Sequence, residues 1–476
     1  MPQNVSRTNP CPICGKPDMC FSNDRGTDGI VRVCGRIHKD MVQGFDGRAY
    51  KMIPSRNSQY TSYVDYEDDL RRQELRRKEW CEAHGKRYVP KNGIDLSGFT
   101  PAAEEPWEYD SSIVKPLSHE MLDKILRPWL IQSFVLAPCH KAKLMREWKA
   151  NPQMAENIFA NWILRTLPPE DKVREEAPAY YKVHTAGKTR KELIADLLRI
   201  CKENGLSSPK GIPGIYQDAQ TGEWKINGKA GILFPVYDVK GRIYRLRLGV
   251  DTPDVAGEFD GKKGTFRFYR DMWFFDRENK PREEKSVLVW KYGRDFNEIT
   301  LNGKGLPPGK ADGKYVNVSS FREWKNYETH TIVNKLSNGT RSGSNVSFYR
   351  PKDAQKGIVW VTEGEKKAMV ISEVLKVPVL CLPGVQTYSK LFEPEEGGAS
   401  IMEQLLAEGV RLVVVAYDAD KESNEAVASA EQGLLKELFN HGFTVGRTMW
   451  NQAFGKGIDD SIMEGVMPQI SVVSFD

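Results

Sequence analysis

Residues 358–365, IVWVTEGE, and residues 412–420, LVVVAYDAD, decide how this chain reads. Each opens as a short apolar run rich in β-branched residues and closes on acidic ones. An unbroken apolar run of that length, bounded by turn residues, is the pattern of a strand covered on both faces, as in a parallel sheet. The intervening residues fit the same plan. Lys366–Lys376 has helical spacing, Val377–Leu382 is a second apolar run ending at Pro383-Gly384, and a helix near Ile401–Glu408 stops at Gly409. Beyond Asp420, Val427, Leu434, Leu435 and Leu438 form one stripe of a helix over Asn424–Phe439. A last strand near Phe443–Met449 leads to Lys456-Gly457-Ile458-Asp459-Asp460. Strands alternating with helices predict an α/β domain over 356–476 with a Rossmann-like parallel sheet.

The acidic residues fall just past strand ends, the edge at which open α/β sheets bind ligands. Asp418 and Asp420 flank Ala419, so an extended chain aims both at one point. Gathered carboxylates repel and raise one another's pKa. A divalent ion such as Mg²⁺, which prefers oxygen ligands, removes that cost. It also serves attack by a hydroxyl and departure of a phosphate. The order strand-Glu-Gly, strand-Leu-Pro-Gly, strand-Asp-x-Asp, Lys-Gly-x-Asp-Asp resembles the Toprim domain of bacterial-type primases, topoisomerases and some nucleases. The resemblance runs from about Lys356 to Met467. It implies Glu363 as metal ligand or general acid/base, with Asp418 and Asp420 as ligands of Mg²⁺ or Mn²⁺. It implies close approach of nucleic acid or nucleotide phosphate at Gly364. Lys456, Asp459 and Asp460 match a motif common in phage and plasmid members, where the lysine meets phosphate and an aspartate supports the metal site.

Upstream, residues 181–355 read as β-rich. GILFPVYDVKGRIYRLRLGVD (231–251) alternates about a turn at Lys240-Gly241. With GKYVNVSS (313–320) it resembles the catalytic core of bacterial replicative primases, and GIPGIY (211–216) is similar to phage and mobile-element primase-like proteins. Arg245 and Arg247 share one strand face, and with Lys314 they are the basic residues this resemblance implies for nucleic acid or nucleotide. The family's arginine falls at a different offset, so the role goes to either Arg245 or Arg247. Phe266–Phe275 (FRFYRDMWFF) reads as a core-packed strand pair, with base stacking as the alternative. Asn302–Lys314 is a Gly/Pro/Lys loop and not a phosphate-binding loop, because Lys310 is followed by Ala311.

The N-terminal 55 residues carry Cys11-Pro-Ile-Cys14-Gly15, a knuckle that presents two thiolates on one turn. Structural zinc takes four ligands. Cys34 follows a turn-rich stretch, Asn23–Gly29, that could return it to the knuckle. The fourth ligand is open. Similarity to phage primase-like proteins through Cys20 implies four cysteines, whereas ribbon geometry, with ligands in close pairs, favours His38. The same resemblance puts Arg25, Arg32 and Arg36 within reach of phosphate. Residues 56–180 read as a charged helical linker whose run Tyr66–Trp80 supplies i,i+4 pairs. Cys81 and His84 have C-x-x-H spacing, and Cys139 and His140 are adjacent. Neither pair has a partner pair in sequence, and neither is assigned a metal.

The 476 residues carry a net charge of +5, which permits nucleic-acid binding without demanding it. Eight cysteines with one close pair fit metal binding in a reducing cytoplasm better than a disulfide framework. No apolar run is long enough to span a bilayer, and the first residues lack a secretory pattern. The expectation is an α/β chain (α+β overall): zinc ribbon 1–55, helical linker 56–180, β-rich primase-core subdomain 181–355, Toprim domain 356–476. The resemblance implies a DNA primase of a bacterial or phage-infected cytoplasm. It would act on single-stranded DNA with NTPs or dNTPs, alongside a separate replicative helicase, with structural Zn²⁺ and catalytic Mg²⁺ or Mn²⁺. The alternatives are a Toprim nuclease and a non-catalytic protein that binds single strands or a helicase. A topoisomerase would need a nucleophilic tyrosine domain, which nothing here identifies.

Overall fold

The computed structural model describes residues 3–6, 9–17, 20–24, 30–53, 61–83, 88, 107–148, 152–185, 187–251, 254–259, 262–275, 281–292, 295–300, 315–326, 329, 331–419 and 425–475. Asp420, Lys314, Arg25 and His84, all named above, lie outside these residues. The chain is a mixed α/β protein with several sheets. It divides into two units, Met1–Ser111 with Trp324–Val333, and Ser112–Glu323 with Asn334–Asp476.

In the first unit a six-stranded antiparallel sheet has the order Gln3–Asn4, Cys20–Asp24, Ile30–Cys34, Thr61–Asp65, Ala49–Ile53, Met41–Gln43. The expected boundary at residue 55 therefore falls inside the sheet. The reason is the strand TSYVD (61–65), whose Tyr63 is wholly buried beside Cys11, Cys20, Cys34 and Tyr50. Its hydroxyl donates towards the carbonyls of Ile37 and Lys39, so the ring and its polar tip are both satisfied. The charged run forms the helix Tyr66–Ala83, started by Asp65, whose carboxylate accepts from the N–H groups of Glu67 and Asp68. Arg72 pairs with Asp68 and Arg71 with Glu67 at i,i+4, as the charge pattern predicts.

In the second unit the helices His119–Ser133, Pro138–Glu147, Pro152–Asn161, Pro178–His184 and Arg190–Glu203 accompany a four-stranded sheet. Its order is Tyr315–Asn317, Ile243–Val250, Gly231–Tyr237, Arg165–Leu167. Thr189 and Glu192 cap the last helix reciprocally. The central hairpin pairs Phe234 with Arg247, and its turn is fixed by Asp238, whose carboxylate accepts from the N–H groups of Lys240 and Arg242. Gly241 takes the positive φ that this turn requires. Leu122, Ile125 and Trp129 share one core with Phe234 and Leu246 of the hairpin and with Met369 and Val414 further on. Asn157 and Asn161 both donate to the Glu373 carboxylate, 2.9 and 3.0 Å away. Apolar burial is thus continuous across the expected divisions at 180 and 355, and no boundary of packing falls there.

Lys262–Phe275, which contains the aromatic run, is a strand between Asp254–Phe259 and Pro281–Tyr292 in a separate four-stranded antiparallel sheet.

The C-terminal sheet has the order Ser347–Tyr349, Val379–Leu382, Ile358–Glu363, Leu412–Val415, Thr444–Met449, Gln469–Val473. The four inner strands are parallel and the two outer ones antiparallel. Alternation along the central strands explains the two-faced burial. Val359, Val361, Val413 and Val415 pack with the helices Ile401–Ala407 and Glu425–Asn440, whereas Trp360 and Val414 pack with Glu365–Leu375 and Ile458–Met463. Such coverage is what permits uninterrupted apolar strands.

Candidate functional site

Glu363 ends the strand Ile358–Glu363, and the neighbouring parallel strand ends at Val415 in register with Val361. Two further bonds lock the strand exits together: the Ala416 N–H donates to Val361 O at 2.8 Å, and the Thr362 hydroxyl donates to Ala416 O at 2.8 Å. Asp418 is thereby held beside Glu363. Gly364 turns the chain from strand to helix with φ +84°, a conformation that penalises a side chain, and the space a Cβ would enter is open.

The helix Glu365–Leu375 begins at once, and its Lys367, four residues after Glu363, reaches back to both acids. The ammonium pairs with Asp418 Oδ1 and lies 3.9 Å from Glu363 Oε1. Lys456 approaches the other oxygen of Asp418 at 3.6 Å with a largely exposed side chain, and its carbonyl accepts from the Ala419 N–H at 3.0 Å. Asp459 feels the charges of this group. Burial raises its pKa, the negative charges of Asp460 and Asp418 raise it further, and Lys367 opposes them. Asp460 turns instead to its own backbone, accepting from the Gly457 N–H at 3.2 Å at the start of the helix Ile458–Met463. Of the Lys-Gly-x-Asp-Asp residues, Lys456 approaches Asp418 and Asp460 caps a helix.

Lys367 was not singled out from the sequence. Its signal is the i,i+4 spacing from Glu363 across a strand-to-helix turn, which aims an ammonium back at the strand end. Glu363 and Asp418 offer hard oxygen donors that already converge on a cation, the Lys367 ammonium. That donor set fits a divalent ion of the Mg²⁺ class.

Arg245 and Arg247 require a correction. Expected to meet nucleic acid, both are buried. Arg247 pairs with the buried carboxylate of Glu365, donates to Asn345 O at 2.5 Å, and contacts Asn317 Oδ1 at 3.3 Å. Arg245 donates to the carbonyls of Ser342 and Tyr244. Their strand is interior to a covered sheet, so the guanidinium groups are spent on internal acceptors. Burial pushes the Glu365 carboxyl up against the pull of Arg247. The Tyr315-x-Asn317 segment serves the same contact region: Asn317 touches Arg247, and the Tyr315 ring lies 5.8 Å below the Lys366 ammonium.

In the first unit, Cys11, Cys14, Cys20 and Cys34 bring their sulfurs within 4.8 Å of one another, a group that could hold one zinc ion. The Cys14–Cys20 and Cys20–Cys34 sulfur separations are 3.7 and 3.8 Å. A tetrahedron with Zn–S bonds of about 2.3 Å has edges of about 3.8 Å, so the donor set fits. Cys20 comes opposite Cys34 because the two strands pair in that register. His38 is not in the group; its Nδ1 lies 2.6 Å from the Thr61 hydroxyl. Arg32 is half-buried and Arg36 exposed. Among the described residues no helix is long and apolar enough to cross a membrane.

Residues 351–467 match a family model described as a domain of unknown function, DUF3854. No curated protein matches the chain. Among solved structures the chain is similar to DnaG-type primase cores at low identity. A DNA primase domain from Pseudomonas aeruginosa is 12% identical with a TM-score of 0.33, over 67% of this chain. This chain spans 65% of that one. The zinc-binding and RNA polymerase domains of the Aquifex aeolicus primase are 11% identical with a TM-score of 0.38, over 94% of this chain and 75% of that one. The RNA polymerase domain of Mycobacterium tuberculosis primase, in complex with a double-stranded DNA oligomer with an overhang, is 10% identical with a TM-score of 0.36. It covers 74% of this chain and 78% of that one.

Proposed function

We propose that this chain is a DNA primase of the phage or mobile-element type. In this reading it joins nucleotides on a single-stranded template: a 3′-hydroxyl attacks the α-phosphorus of an NTP or dNTP, and pyrophosphate leaves. The observation that carries the reading is the convergence of Glu363 and Asp418, from two separate segments, at the carboxyl edge of a parallel sheet on Lys367. That edge is where such sheets bind ligands. Its order of motifs is the Toprim order, and the FP-x-x-D-x-x-G-R hairpin with the Tyr315-x-Asn317 strand favours the primase branch of that group.

Glu363 and Asp418, with Asp420 next along the chain, would hold Mg²⁺ or Mn²⁺. When bound, such an ion supplies charge for the attacking and leaving oxygens. Lys456, extended into solvent beside Asp418, is placed to meet nucleotide phosphate. Open space at Gly364 lets a phosphate backbone come close. Arg247 acts at one remove: bonded to Glu365, it fixes the first turn of the helix that carries Lys367. The cysteine group belongs to this reading as a zinc module that contacts template. A replicative helicase on another chain would supply the motor.

The deciding experiment is a priming assay on mixed single-stranded templates with nucleotides and Mg²⁺ or Mn²⁺. The primase reading expects short products that require nucleotides and vanish in Asp418→Asn. Shortening of the template without nucleotides would assign a nuclease. Strand or helicase binding with neither reaction, unchanged in Asp418→Asn, would assign an accessory protein.

A further inference from the structure

A second cluster of metal-binding side chains lies outside the acidic site, within the second unit. Cys139 and His140 occupy the first turn of the helix Pro138–Glu147, and His184 is the last residue of the helix Pro178–His184. Asp251 follows the strand Ile243–Val250 directly. All four side chains are buried, at 5% exposure or less. The Cys139 sulfur and one nitrogen of each histidine lie within 4.8 Å of one another. Asp251 adjoins the group: its Oδ2 is 2.8 Å from His140 Nε2 and 3.7 Å from His184 Nε2.

His184 Nδ1 faces the carbonyl oxygen of Tyr180 at 3.0 Å. A carbonyl only accepts, so Nδ1 carries the ring proton and a neutral ring presents a lone pair at Nε2. Asp251 Oδ2, another acceptor, lies 3.7 Å from that nitrogen. A cation bound between them would satisfy both. The Lys143 ammonium does not serve this pair, because it stands 3.7 Å from the other oxygen, Oδ1. The Tyr180 hydroxyl donates to Oδ2 at 2.7 Å and steadies the carboxylate.

One edge of the cluster already suits a small tetrahedral ion. Bonds of about 2.0–2.1 Å to nitrogen and oxygen give edges of about 3.4 Å, and an edge to a thiolate is slightly longer. The 3.7 Å edge between His184 and Asp251 is already within a few tenths of an ångström. The 2.8 Å contact between His140 and Asp251 is a hydrogen bond that would open as both turned to the ion. The outer contacts are also in place. His140 Nδ1 lies 2.8 Å from the Thr166 hydroxyl, which is itself held by the Ala137 N–H at 2.8 Å. A hydroxyl can accept or donate, so it serves the tautomer that frees Nε2 for a metal.

We propose that Cys139, His140, His184 and Asp251 form a second zinc site, separate from the N-terminal cysteine group and from the acidic edge. One thiolate, two imidazoles and one carboxylate are a zinc-class donor set, and four protein ligands in a buried pocket leave no open position for catalysis. The site is structural. It ties two helix ends to the exit of the central strand Ile243–Val250, the strand that also carries Arg247.

The test is metal content of the full chain by elemental analysis after exhaustive dialysis. Wild-type protein is expected to hold about two zinc ions, and Cys11→Ser with Cys14→Ser about one. Adding His184→Ala or Cys139→Ser to that background is expected to remove the last. Cobalt(II) loaded into the Cys11→Ser, Cys14→Ser protein should give tetrahedral bands and one thiolate charge-transfer band. Cys139→Ser should abolish the latter. One zinc per wild-type chain, or no metal and no cobalt spectrum in the double variant, overturns the proposal without reference to any variant that fails to fold. Retention of the last ion in both His184→Ala and Cys139→Ser also overturns it.

Discussion

Lys367 pairs its ammonium with Asp418 across the gap between a helix start and a neighbouring strand end, and lies 3.9 Å from Glu363 as well. One lysine thus stands between two carboxylates that come from segments 55 residues apart in sequence. It neutralises part of their mutual repulsion and holds the site together as it is folded here. Any divalent ion binding these acids must compete with that ammonium.

Replacing Lys367 by methionine should therefore tighten divalent-ion binding. A half-buried pair of this kind contributes up to about 1 kcal/mol, roughly fivefold in affinity. Loss of the free Mn²⁺ paramagnetic signal on titration measures it. Unchanged or weaker binding in Lys367→Met would remove the lysine from competition with metal.

Asp418→Asn and Glu363→Gln preserve shape and remove a charge. Each should lower primer synthesis by about two or more orders of magnitude, because several kcal/mol of transition-state stabilisation depend on the ion they hold. Template affinity, measured by fluorescence anisotropy, should stay within about twofold. Synthesis near the wild-type level in Asp418→Asn would refute the assignment of that residue.

The buried pair of Arg247 and Glu365 makes a different prediction, about folding. Arg247→Ala should destabilise the protein by about 3 kcal/mol, since it strands a buried carboxylate. Arg247→Met combined with Glu365→Leu should recover much of that loss in urea unfolding. The salt dependence of single-strand binding by folded Arg247→Met, Glu365→Leu protein should match wild type, because the arginine does not face solvent. A flatter slope would return Arg247 to the nucleic-acid surface.

The choice between Cys20 and His38 can be read directly from metal content. Cys20→Ser should weaken or abolish zinc at the N-terminal site, and His38→Ala should leave it intact. Since structural zinc supplies folding free energy, Cys20→Ser should also make the first unit protease-sensitive. Zinc loss in His38→Ala with retention in Cys20→Ser would reverse the assignment.

The chain by itself determined the alternation of strand and helix after residue 356, the hairpin turning at Lys240-Gly241, the charged helix from Tyr66, and the close pair Cys11 and Cys14 on one turn. These are local facts: periodicity, turn chemistry and close spacing act within a few residues. What the tertiary structure decided was every question of what faces what. Whether Arg245 and Arg247 point to solvent depends on the layers covering their strand, which alternation alone does not reveal. The register that sets Cys20 opposite Cys34 brings Cys20, and not His38, to the other three cysteines. The strand Thr61–Asp65 pairs between Ile30–Cys34 and Ala49–Ile53, so the first sheet takes in residues past 55. Cys139-His140, which carries no spacing signal, meets His184 and Asp251 only because two helix ends and one strand exit are packed together. Long-range contacts of that kind are made by burial, and the linear order of residues does not contain them.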